Sequence, residues 1–264
     1  MSTLLVLLAA TLTPGQAGLS LTNARTTYGE LGAIRTDTRY VAGDIFFVAF
    51  DIEGIKADET GRVRYTMSME VVNKDNQPIY TQRPLERDDF IPLGGNKLPG
   101  RAFVTIGPDQ APGAYTCRVT VSDLAAKSKQ VLEQKFEVVP KSFGFVQVFT
   151  SSDEKGAIPA PPLGVPGQAV FLRFALIGFS RDAKTKQPNF DIEMVIQSKD
   201  GAAALAKPAV LTIDRGVDES DNVLPLRFFL PMNRVGDFTI ELRATDKINK
   251  ATGKVQIPLR VVAP

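Results

Sequence analysis

Glu86, Asp88, Asp89 and Phe90 place three carboxylates and an aromatic ring within one short stretch. Paired carboxylates across a cleft can hydrolyse a glycosidic bond, and an acidic, aromatic loop on a rigid scaffold can recognise a partner. A second acidic group, Asp51, Glu53, Asp58 and Glu59, supplies the oxygen ligands that Ca²⁺ prefers, but its spacing fits no calcium-loop motif. Asp123 and Asp246 follow equivalent strand-like segments, where an Asp caps a hairpin turn through its own backbone. Cys117 is the only cysteine and the chain has no His. Ser-His-Asp and Cys-His catalysis are therefore excluded, as is an intrachain disulfide. Gly94-Gly95 lacks the Gly-Lys-Ser/Thr ending of a phosphate loop. No catalytic residue, metal ligand or cofactor is assigned. The segment Gln82 to Lys97 reads as an insertion loop, with Glu86, Asp88, Asp89 and Phe90 as its recognition residues.

The elements that must position these residues come in two copies. Gly32-Ala33-Ile34 returns as Gly156-Ala157-Ile158, Val41-x-Gly43 as Val165-x-Gly167, and Phe47, Phe50 and Gly54 as Phe171, Phe174 and Gly178. Met69, Val71, Lys74 and Asp75 return as Met194, Ile196, Lys199 and Asp200, and Gly113-x-Tyr115 returns as Gly236-x-Phe238. Self-similarity at this period predicts one fold used twice. Ile45 to Ile52 and Ala169 to Ile177 read as strands. Arg64 to Asn73 alternates, with Tyr65, Met67, Met69 and Val71 on one face. Ala157 to Pro166 reads as an extended crossing, with a partner-binding polyproline segment as the alternative. The boundary falls near Pro140, giving units 18–140 and 141–264. Phe50 and Phe174 are expected in the two cores. Phe143 fills either the second core or the joint.

The 264 residues carry 31 Lys and Arg against 29 Asp and Glu, a net charge of +2. Both signs are interspersed with no basic stripe, which argues against a nucleic-acid partner. Leu4 to Leu12 is apolar and is followed by Pro14 and by Gly15-Gln16-Ala17. This pattern predicts a signal peptide over residues 1–17. The run is too short to cross a bilayer, which takes about 20 residues, so no transmembrane span is expected in the mature chain.

Pro112-Gly113-Ala114-Tyr115-Thr116-Cys117 resembles the G-x-Y-x-C segment of immunoglobulin-like domains, and its looser form is widespread in bacterial immunoglobulin-like and fibronectin-type modules. The resemblance implies an all-β chain of two tandem immunoglobulin-like β-sandwich domains. It also implies that Tyr115 makes a tyrosine corner and that Cys117 faces the core. Phe238 replaces the tyrosine in the second copy, so that corner loses its hydroxyl bond.

The expected role is a non-enzymatic structural, adhesive or protein-binding module, exported to the periplasm or cell surface of a bacterial envelope and binding an envelope protein or glycan. One alternative is a carbohydrate-binding accessory module using Phe90, Tyr28, Tyr40 and Tyr80, although the chain has no Trp. The other is a hydrolase using Glu86 and Asp89.

Overall fold

A computed structural model describes residues 18–264. The segment read as a signal peptide lies outside the described residues. The first half contains β1 (Ser20–Thr26), β2 (Arg39–Val41), β3 (Ile45–Glu53), β4 (Arg62–Asn73), β5 (Pro78–Phe90), β6 (Lys97–Thr105), β7 (Gly113–Asp123) and β8 (Ser128–Val139). The second half contains β9 (Gly144–Ser151), β10 (Leu163–Gly164), β11 (Ala169–Ile177), β12 (Phe190–Ser198), β13 (Ala209–Ile213), β14 (Val223–Pro231), β15 (Gly236–Asp246) and β16 (Thr252–Val261). Among the described residues every regular element is a strand, so the chain is all-β.

The halves share one topology. A three-stranded sheet, β1-β3-β6, packs on a five-stranded sheet, β2-β8-β7-β4-β5; the second half repeats this as β9-β11-β14 and β10-β16-β15-β12-β13. The short strands β2 and β10 run parallel to β8 and β16, and every other pairing is antiparallel. This is the strand arrangement of immunoglobulin-like sandwiches. The extended crossing expected over Ala157 to Pro166 ends in β10, whose neighbour Pro162 accepts the Arg260 N–H at 2.9 Å.

Period-two alternation builds each core. In β4, Val63, Tyr65, Met67, Met69 and Val71 are buried against Phe46, Val48, Phe50 and Ile52 of β3 and Cys117, Val119 and Val121 of β7. In the second half Leu172, Phe174 and Leu176 meet Phe190, Ile192, Ile240 and Leu242. The two cores share no residue. Phe143 belongs to the second core, with its ring 6.3 Å from Phe190.

The Tyr115 hydroxyl donates to the Ala111 carbonyl at 2.7 Å and accepts from Gln110 Nε2 at 2.7 Å, which is the tyrosine corner. Tyr115→Phe removes both bonds and is expected to cost about 1 kcal/mol, measurable by urea unfolding. Phe238 has no hydroxyl, and the turn before it runs only from Met232 to Val235, against Ile106 to Pro112 in the first half. An apolar cleft of about 340 Å³ lies beside Phe229, Met232 and Leu259.

Asp123 and Asp246 cap the last hairpin of each half, and they also fasten a distant loop. Asp123 Oδ1 accepts from the Ala125 and Ala126 N–H groups, while Oδ2 accepts from Lys56 at 2.7 Å. Asp246 repeats this with Ile248, Asn249 and Ser180. Both residues are buried, so each carboxylate depends on these amide hydrogen bonds. Asp123→Asn keeps one acceptor oxygen and loses the other. It is expected to lower stability by about 1–3 kcal/mol, again read by urea unfolding, and Asp246→Asn should match it.

Candidate functional site

The residues expected on a recognition loop lie in a strand. Glu86, Asp88, Asp89 and Phe90 are the last turnless stretch of β5, and only residues 91–96 separate it from β6. The polar sequence hides the strand because β5 is the edge of the larger sheet and overhangs the smaller one. Neither face is covered: all its residues are exposed except the half-buried Gln82. The equivalent β13 has 5 residues against 13 in β5, so this long edge belongs to the first half alone.

Alternation separates the carboxylates. Glu86 and Asp88 share one face of β5, and Asp89 points to the other. Asp88 takes the Arg62 guanidinium, with Nε at 2.6 Å and a second contact through Nη2, and this hydrogen bond holds its carboxyl below the usual range. Asp89 Oδ2 accepts the Tyr65 hydroxyl at 2.9 Å. Burial, and then that hydrogen bond, push the Tyr65 hydroxyl above its ordinary value. Glu86 and Asp89, the pair the hydrolase reading requires, therefore do not face one another across a cleft. Phe90 is 58% exposed at the end of the strand.

Among the described residues the outer edge of β5 has no strand partner, so its outward N–H and C=O groups can pair with an added strand. The edge is divided. A bulge lies between the pairs Met67–Leu85 and Met69–Gln82, and Pro84 inside it has no N–H to offer. The stretch Leu85 to Phe90 is the uninterrupted part, with the exposed side chains of Leu85 and Phe90 at its two ends.

The other candidates are structural. Asp51 bonds Asn23 and Lys97, Glu53 bonds Thr22 and Lys97, and Asp58 caps its own turn through Thr60 and Arg62. Among the described residues no three His, Cys, Asp or Glu converge to hold a metal ion. Cys117 is fully buried, which pushes its thiol up to about 12, so the nucleophilic thiolate is not formed near neutral pH. Tyr40, expected at the surface, is 1% exposed, with its ring against Phe46 and Phe136.

The joint between the halves is built on Asp44 and Gln147, neither of which the sequence singles out. Asp44 Oδ2 accepts from Arg35 Nη1 at 2.7 Å, and its Oδ1 accepts the N–H groups of Ile45 and of Gln147, from the second half, at 2.9 and 2.8 Å. Gln147 Nε2 donates to the Gly43 carbonyl at 2.8 Å. Gln147 occupies a strand bulge at φ 52°, as Asn23 does at φ 51° in the first half, and this left-handed turn of the chain aims its amide at Asp44. Beside it, Phe149 packs on Gly29. The aromatics at the joint are thus Phe149 and Tyr28, which packs against the second core, and the Phe143 ring is in that core.

No protein-family model matches the chain, and no curated protein matches it. Among solved structures it is similar to the C-terminal domain of the antigen I/II polypeptide BspA of Streptococcus agalactiae, at 9% identity and a TM-score of 0.31 over 91% of this chain and 100% of that one. It is similar to the C-terminal domain of the Streptococcus pyogenes antigen I/II-family protein AspA, at 9% identity and a TM-score of 0.32 over 92% and 99%. A family 123 glycoside hydrolase from Clostridium perfringens matches at 10% identity and a TM-score of 0.33 over 47% of this chain and 28% of the hydrolase.

Proposed function

We propose that this chain is a non-enzymatic structural or adhesive module, with residues 18–140 and 141–264 as two tandem immunoglobulin-like domains. Residues 1–17 direct its export, and it acts at the periplasm or surface of a bacterial envelope. It binds a protein partner by strand addition along Leu85 to Phe90, with Glu86 and Asp88 on one side of the added strand and Phe90 as an apolar anchor at its end.

The observation that carries this reading is the 13-residue edge strand β5, exposed along its length and open on its outer side. Long exposed edges are a liability that sandwiches ordinarily shorten or cover, as the 5-residue β13 does. Two of its carboxylates are held within the sheet, Asp88 by the Arg62 guanidinium and Asp89 by the Tyr65 hydroxyl, which suits a scaffold. Affinity capture from an envelope extract with the full chain as bait tests the proposal. One strongly enriched protein is the expected result. Abundant chain in the envelope fraction with nothing enriched would point to a passive structural role, and a cytoplasmic location would remove the export part.

A further inference from the structure

One surface repeats between the halves although no core requires it. On the outer face of the smaller sheet, Phe47 of β3 lies directly across from Phe103 of β6, with ring centroids 5.2 Å apart. Arg101 shares that face and pairs with Glu30, in the corner after β1, at 3.0 Å. In the second half Phe171 lies across from Phe229, again at 5.2 Å, and Arg227 pairs with Glu154. The two corners that supply Glu30 and Glu154 also carry Ile34 and Ile158, which are 60% and 59% exposed.

Alternation turns these residues away from their own cores: Phe46, Val48 and Ala102 are buried beside them in the first half, and Val170, Leu172 and Leu230 in the second. Phe103 and Phe229 remain 57% and 58% exposed. Folding alone therefore leaves much of each ring's apolar surface in water. Neighbouring surface has diverged. Ala49 faces Arg101, while its counterpart Arg173 faces Arg227. Exposed aromatics beside an arginine are the composition of protein-contact hot spots, and here the group occurs twice in one chain.

We propose that the two platforms form the contact surface of an antiparallel twofold dimer of this chain. The platform of the first half faces the platform of the second half in the other copy. The charges fit this arrangement. Each platform carries an Arg–Glu pair, so a twofold axis brings Arg101 toward Glu154 of the second copy and Arg227 toward Glu30. Phe–Phe stacks meet between these ion pairs. An isologous contact of this kind uses both platforms and closes on itself, leaving no open end. The proposal is independent of β5, which lies on the larger sheet.

Sedimentation velocity on the full chain at micromolar concentrations tests it, and the expected species is a dimer. Phe103→Ser with Phe229→Ser is expected to give a monomer with unchanged strand content by circular dichroism, since both rings lie outside the cores. Arg101→Glu alone is expected to weaken the dimer about tenfold. Adding Glu154→Arg restores the contact between copies and should recover it. Adding Glu30→Arg instead restores only the pair within one chain and should not. A monomer throughout, including one whose platforms bind a glycan, overturns the proposal, as does a dimer that survives the double serine variant or is rescued by Glu30→Arg.

Discussion

Phe50→Ala and Phe174→Ala are each expected to destabilise the chain by about 3–5 kcal/mol. Phe50 is 1% exposed, and its ring lies over Gly100, where an added Cβ would collide with the ring. Phe174 is 2% exposed, with Phe145 and Phe228 at centroid distances of 5.4 and 5.8 Å. Removing either ring leaves a cavity that rigid, hydrogen-bonded strands cannot close. Because the cores share no residue, each variant should lower the unfolding midpoint of its own half and split the transition in two. Urea unfolding followed by amide exchange in each half reads this. A cost under about 1 kcal/mol at either site would contradict the assigned strand faces.

Asp44→Ala is expected to cost about 3 kcal/mol and to loosen the joint. The Arg35 side chain is 13% exposed and that of Asp44 only 4%. Removing one partner of a buried ion pair strands the other. The Arg35 guanidinium sits 3.8 Å from the Tyr40 ring centroid and donates to the carbonyls of Asp37 and Arg39, so packing holds it in place after its carboxylate is gone. The Gln147 N–H loses its acceptor in the same step. Small-angle scattering should show a broader distribution of distances in the variant, with strand content unchanged. Asp44→Asn keeps an acceptor for Gln147 and should fall between the two. An unaltered scattering profile for Asp44→Ala would show that other contacts fix the joint.

What was legible in the sequence follows from where the physics is local. The repeated residues divide the chain because duplicated strands need duplicated core positions, and Tyr65, Met67, Met69 and Val71 are buried as their alternation requires. Asp123 and Asp246 are readable because a turn cap involves neighbours in sequence. Their second bonds, to Lys56 and Ser180, are not, since those partners are brought close only by the sandwich. The strand β5 looked like a loop because alternation marks a strand only where one face is buried, and this one overhangs its partner sheet. Tyr40 looked exposed beside Arg39, yet the short parallel strand β2 presses it between Phe46 and Phe136. Gln147 carried no signal: a left-handed backbone at a glutamine, turned toward a carboxylate from the other half, has no sequence signature.

Partner binding by strand addition at β5 can be read by amide hydrogen exchange on the full chain with and without its captured partner. Strand addition should slow exchange over Leu85 to Phe90, whose outer edge pairs with no strand among the described residues. Protection confined to other surfaces, with β5 exchanging as fast as before, would contradict it.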